Sequence, residues 1–353
     1  MILGVAGLVI VGIIFSFVAG ALPEVDMLTK IKHFAVKTIA VVRSHVILVS
    51  LFKLVLVGVL GYTLWVRVAG MLEGGVHLGA FIRRGGVLFW VVVLLMPVNW
   101  FLELVKWKRL VGRNQDLSYG VALRGLLLGV ALSVITPNRL GELGGRASVL
   151  APSKRWLGLA ATLLGSVSLL VPLLGFGGVC LSGFGISFLG WGAGVWVVGL
   201  LLLVCCCWVY FHIPQVVAVL GRVSFLRSRA ERLLQLSTFS RYDLWATLLL
   251  SGMRYGVYVL QYILLLLGMG ASLSASDFLE GVGVIYFIQT GIPLPPITGL
   301  LVRGHVALQI WAYYGLEADV IMGATVVLWV INILLPSIVG GLVLLFHPID
   351  HKT

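Results

Sequence analysis

Long apolar stretches alternate with short polar ones along almost the whole chain. A helical bilayer crossing takes roughly 20 mainly apolar residues. Stretches that suit this length lie at residues 2–22, 46–66, 87–105, 117–135, 156–176, 191–211, 244–269 and 320–346. Two further segments are ambiguous, since 278–290 is short and 298–314 carries Arg303. The pattern predicts an all-α fold, a polytopic transmembrane helical bundle of about 8–10 membrane segments. The first stretch lacks the basic start and small-residue cleavage site of a signal peptide, so it reads as retained. Residues 1–45 then form an extra helix and basic linker, peripheral to a core over 46–346, with a short tail at 347–353.

Loop charge suggests sidedness. Residues 30–43 are basic, as are 106–113, with Lys106, Lys108, Arg109 and Arg113. Residues 222–241 hold five arginines against Glu231. The positive-inside rule places all three in the cytoplasm. The uncharged loop at 177–190 and the acidic one around Asp277 and Glu280 read as outside. Three spans then separate two inside loops, where only an even number of crossings fits. One segment must be re-entrant or broken, and broken backbone at membrane depth has to line a cavity or be buried in protein. Residues 219–239, with Leu220, Val223, Leu226, Ala230, Leu233 and Leu234 near helical spacing between arginines, read as an interfacial helix.

Composition agrees with the pattern. The chain of 353 residues is 60% hydrophobic and 11% charged, with a mean hydropathy of +1.10. Soluble domains carry about 25% charged residues. The net charge of +12 belongs to topology and anionic lipid, and nucleic acid is not an expected partner. Cys205, Cys206 and Cys207 are consecutive and the histidines are scattered, so no metal site, catalytic residue or cofactor is expected.

One motif carries chemistry. Thr136, Pro137, Asn138, Arg139, Leu140, Gly141, Glu142, Leu143, Gly144, Gly145 and Arg146 follow an apolar run directly. Pro137 can break the helix, and the glycines allow close backbone approach. Glu142 and Arg146, four apart, can pair on a helix. That leaves Arg139 beside the break, where a guanidinium offers a planar fork to phosphate. A second segment echoes this order, with Pro295, Gly299 and Arg303 in an apolar setting. Paired Gly/Pro-interrupted segments point to an internal repeat and a transporter-type site between its halves. Arg139 and Arg303 are expected to meet there on one anionic head group.

These residues resemble a family. Asn99, Glu103, Lys106 and Trp107, then the Pro137–Glu142 block, then Arg254, Tyr255, Gln261 and Tyr262 are similar to the flippase-like transmembrane domain of lysylphosphatidylglycerol synthases and its stand-alone relatives. Two departures stand out: Gly145 sits where the family's second arginine falls, and only Gly299 and Arg303 persist of its second motif. The resemblance implies a helical bundle handling lipid head groups: anionic phospholipid, aminoacyl-lipid or polyprenyl-phosphate-linked sugar. The soluble synthase domain is not in the chain, so lipid synthesis is not implied.

Arg124, Arg139, Arg146, Arg254 and Arg303 are therefore the candidate head-group cations. Glu103, Glu142, Pro137, Asn138, Gly141, Pro295, Gly299 and Gln261 are the structural set. For Glu103, near a span end, snorkelling and ion pairing are both open. The expected function is a lipid translocase or lipid-binding protein of a bacterial inner membrane, with anionic membrane lipids as partners. The alternatives are a membrane-embedded transferase and a structural subunit.

Overall fold

The computed structural model describes residues 78–112, 117–133, 136, 140–190, 192, 194–215, 239–290 and 296–346. The expected segments at 2–22, 46–66 and most of 219–239 lie outside these, as do Pro137, Asn138, Arg139, Pro295 and the tail. Among the described residues the chain is all-α. Helix α1 spans Leu78–Gly112. The pair α2 (Tyr119–Ser133) and α3 (Leu140–Ser148) follows, then α4 (Arg155–Leu189) and α5 (Val195–Phe211). Helix α6 is Arg241–Gly268, followed by α7 (Ala275–Thr290) and α8 (Pro296–Tyr313). Helix α9 (Ala318–Trp329) passes through a π-turn at Val330–Leu334 into α10 (Leu335–Phe346). Four helical stretches are long and apolar enough to cross a bilayer: Arg83–Gly112, Pro152–Phe188, Arg241–Gly268 and Ala318–Val343.

Helices α2 and α3 are different. At 1.5 Å per residue they reach about 22 Å and 13 Å, short of a hydrocarbon core of about 30 Å. They fold back on each other. A Cβ on Gly141 would lie 2.2 Å from the Leu132 carbonyl oxygen, one on Gly145 2.4 Å from the Gly129 nitrogen, and one on Gly125 2.7 Å from Val149. Those pairings define one antiparallel register that only glycine permits. Thr136 bridges the break: its hydroxyl donates to the Leu132 carbonyl (3.0 Å) and accepts the Gly141 N–H (2.8 Å). Both outer ends of the hairpin, Leu117 and Leu150, share a core with Leu110, Leu157, Tyr210 and Leu244. The hairpin thus enters and leaves at the same end of the bundle. Helix α4 is long enough to cross a bilayer, and α5 is a shorter apolar helix of 17 residues.

The order recurs, inverted. Helix α6 runs to the other end, where Phe278, Trp311 and Val320 form a second core with Phe89 and Phe184. From there α7 descends and α8 returns, in a register fixed by Trp311 against Gly281 and by Arg303 bonded to Gln289. A long helix, a broken hairpin and a long passage therefore occur twice, entering from opposite ends.

Three boundaries differ from expectation. Helix α1 continues to Gly112, so Lys106 is buried in it and is not a loop residue. The uncharged stretch at 177–190 is not a loop; α4 holds it to Leu189, capped by Gly190 at φ 67°. Its glycines are interfacial, since a Cβ on Gly178 or Gly177 would strike Leu202 or Phe287, and small residues let membrane helices approach. The ambiguous segments at 278–290 and 298–314 are both helical, as α7 and α8.

Two measurements check this architecture. Single cysteines at Gly112 and Ser153, in a background without native cysteines, should label from the same side, and Ser276→Cys from the other. Opposite labelling of the first two would overturn the re-entrant hairpin. Gly145→Ala should cost about 1–3 kcal/mol by overpacking. Gly144→Ala has open space and should be neutral or mildly stabilising by helix propensity; thermal unfolding in detergent reads both.

Candidate functional site

The centre of the bundle is organised by one carboxylate. Glu103, on the inner face of α1, is 3% exposed. Its Oε1 meets Arg146 Nη1 of α3 at 2.7 Å. Its Oε2 meets Arg254 Nη1 of α6 at 2.6 Å and Lys106 Nζ, one turn on, at 2.8 Å. Snorkelling is therefore not its role. Lys106 extends the set to α4 by donating to the Gly165 carbonyl (3.1 Å) and to Ser251 Oγ (3.2 Å). Trp107 joins in from the next position, its indole N–H donating to Thr162 at 3.0 Å.

Arg146 also pairs with Glu142 on its own helix, as the four-residue spacing predicts. It is buried and held by two carboxylates, which makes it a structural cation and not the head-group ligand expected of it. The printed ion pairs join three cations, Lys106, Arg146 and Arg254, to two carboxylates, Glu103 and Glu142. Arg254 has every nitrogen engaged: Nε donates to Asn99 Oδ1 (2.6 Å), Nη1 to Glu103 and Nη2 to the Tyr258 hydroxyl (3.1 Å). It supplies field to the site more than a free donor.

Beside this cluster lies a cavity of about 290 Å³. Both broken hairpins reach it: Val130 and Ser133 at the inner end of α2, and Gln289, Thr290, Gly299 and Arg303 flanking the break between α7 and α8. Its depth is central, because Arg254, which lines it, is midway along α6. Trp100, Tyr255, Tyr258 and Tyr286 give it an aromatic wall, and Leu169 and Leu173 of α4 an apolar one. Among the described residues, no carboxylate lines it.

Among the described residues, Arg303 joins Arg254 as a cation lining this space. Its Nε donates to Gln289 Oε1 at 3.0 Å, and it has no carboxylate partner among the described residues. The π-turn carries another lining residue, Asn332, which donates to Gln261 Oε1 (3.0 Å) and to the Leu328 carbonyl (3.2 Å). Gln261 in turn donates to the Val92 carbonyl of α1 (3.0 Å). Gln261 thus links α1 to the π-turn beside the cavity.

Of the other expected residues, Gly299 borders the cavity. Arg124 is half-buried on α2 and not part of the lining. Gly141 and Glu142 build the first hairpin. Arg139, Pro137, Asn138 and Pro295 lie outside the described residues, so the meeting of Arg139 with Arg303 does too. Sequence reasoning missed Gln289, Asn332 and Ser251; each is an isolated polar residue in an apolar helix, which was the available signal.

Comparison with protein-family models, curated proteins and solved structures gives no match.

Glu103→Gln leaves Arg146, Arg254 and Lys106 facing one another without their shared counter-charge. It should destabilise the fold by at least about 3 kcal/mol. Adding Arg254→Gln should restore part of that loss, because the two sites share one interaction. Unfolding in detergent measures both; additive losses would contradict the shared-carboxylate arrangement.

Proposed function

We propose that this protein binds the anionic head group of a membrane lipid in the central cavity and moves it across the bilayer. One observation carries the reading. Two hairpins with broken backbone, entering from opposite ends, converge on a mid-depth cavity where Arg303 has no acidic partner among the described residues. Charge at that depth is expensive unless paired or functional. Inverted repeats with broken helices at the midplane are the architecture of alternating-access transporters. The resemblance of the Pro137–Glu142 block to flippase-like domains supports the same reading.

The apolar walls suit the adjoining glycerol or prenyl portion, and a phosphate supplies the missing negative charge. Orientation follows from loop charge. Lys108, Arg109, Lys154, Arg155 and Arg241 gather at the end where the first hairpin enters, which the positive-inside rule assigns to the cytoplasm of a bacterial inner membrane. A membrane-embedded transferase needs a free acid or base at the cavity. Glu103 and Glu142 are both engaged by arginine, which favours transport over catalysis.

Arg303→Gln tests the proposal in proteoliposomes carrying fluorescent phosphatidylglycerol. Translocation, read by dithionite quenching of the exposed leaflet, should fall at least tenfold, while the melting temperature stays near wild type because only a neutral partner is lost. Undiminished translocation would reject the role of Arg303. Chemical turnover of the lipid by the purified protein would favour the transferase instead.

A further inference from the structure

One pair of arginines takes no part in the central site. Arg83 and Arg84 lie near the start of α1, both exposed, and no ion pair joins either to a carboxylate among the described residues. Gly85 fixes their place. It is buried, and a Cβ on Gly268 would lie 3.2 Å from its Cα, so the arginines sit where α6 ends. Gly86, at φ 51°, kinks the helix there, and α1 then runs on to Lys108 and Arg109. From Val87 to Lys108 is about 32 Å at 1.5 Å per residue, close to the thickness of a hydrocarbon core. The two basic pairs therefore belong to the head-group layers of opposite leaflets.

The ordinary roles of such arginines do not account for this pair. Cations that set topology belong on the cytoplasmic side, and whichever way α1 inserts, one of its two basic pairs faces away from it. Arg155 and Arg241, at the starts of α4 and α6, share the end of Lys108 and Arg109, which leaves Arg83 and Arg84 outside. Cations can also satisfy the last carbonyls of a helix. Those of α6 are already taken, since Leu265, Leu266 and Leu267 accept the N–H groups of Met269, Gly270 and Ala271. The rest of this end is acidic among the described residues, with Asp277 and Glu280 on α7 and Glu317 and Asp319 at the start of α9. Such a surface repels anionic head groups except at the edge formed by α1. There Val87 is 78% and Trp90 60% exposed, an apolar and aromatic flank of the kind found at a bilayer interface.

We infer that Arg83 and Arg84 form a second lipid site, in the outer head-group layer, that gathers anionic phospholipid in preference to zwitterionic phospholipid. Two adjacent guanidinium groups without a counter-charge attract net negative charge, and the apolar flank below them suits acyl chains. The inference is independent of what the central cavity binds.

The test uses the full-length protein, in a background without native cysteines, in phosphatidylcholine vesicles. A bimane on Val87→Cys reports its neighbouring lipid, because phospholipid carrying a nitroxide on its acyl chain quenches it. Nitroxide phosphatidylglycerol should quench with about fivefold higher apparent affinity than nitroxide phosphatidylcholine, the scale of one arginine at an anionic surface. A bimane on Leu279→Cys, at the same end beside Asp277 and Glu280, should show no such preference. Arg83→Gln combined with Arg84→Gln should abolish the preference at Val87, and Arg83→Lys combined with Arg84→Lys should keep it. Added salt should weaken it. Arg303→Gln should leave it unchanged, whatever becomes of translocation. Equal quenching by the two lipids at Val87 would mean interfacial anchoring alone and overturn the inference. So would a preference that survives the glutamine pair or that occurs equally at Leu279. Loss of the preference in Arg303→Gln would assign it to the cavity and overturn the second site while supporting the first.

Discussion

Glu103 is the constraint on which the centre of this protein depends. Two oxygens on α1 fix a guanidinium from α3, a guanidinium from α6 and, through Lys106, the backbone of α4. In water such pairs contribute little. Inside an apolar bundle no solvent competes for those nitrogens, and each would be left uncompensated without the carboxylate. The specificity of the arrangement matters as much as its energy. Shifting either hairpin or α6 by a turn would strand a charge, so the cluster sets the register of helices whose apolar faces alone would tolerate sliding.

That register places the cavity. The first hairpin is held by glycines at its seam and by Arg146 at the carboxylate cluster, which puts the inner end of α2 beside the middle of α6. The second hairpin arrives from the other end and is built differently. Its outer end is packed through Trp311 against Phe278, Tyr262 and Tyr314. Its inner end is tied by the neutral acceptor of Gln289 on Arg303. The first hairpin is thus tied to the centre by charge, and the second by close packing of α7 on α4 at Gly177 and Gly283.

The long helices around this centre follow the logic of a lipid solvent. Helix α5 exposes Val197, Leu201, Val204 and Trp208, and buries little beyond Gly199 and Tyr210. In water that face would be an aggregation site; in hydrocarbon it costs nothing. Association of α5 with α4 relies on close backbone approach at Gly175, Gly178 and Gly199, as expected where burial supplies no driving force between membrane helices.

Hydropathy alone determined that the chain is a helical membrane bundle, because only a helix satisfies its own backbone in lipid and the apolar runs have that length. Local spacing also determined the Glu142–Arg146 pair. The glycine stretch at 177–190 misled, since glycine marks both loops and close-packed membrane helices and only the neighbour, Leu202 or Phe287, distinguishes them. The tertiary structure decided the rest. Glu103, Arg146 and Arg254 are far apart in sequence, and nothing local says that one carboxylate serves both arginines. Arg146 read as a ligand cation and became structural for that reason. Gln289, Asn332 and Gln261 gained meaning only when the folding of α7, the π-turn and α6 set their amides around one cavity, because the direction of a hydrogen bond is fixed by its partner and not by the residue that makes it.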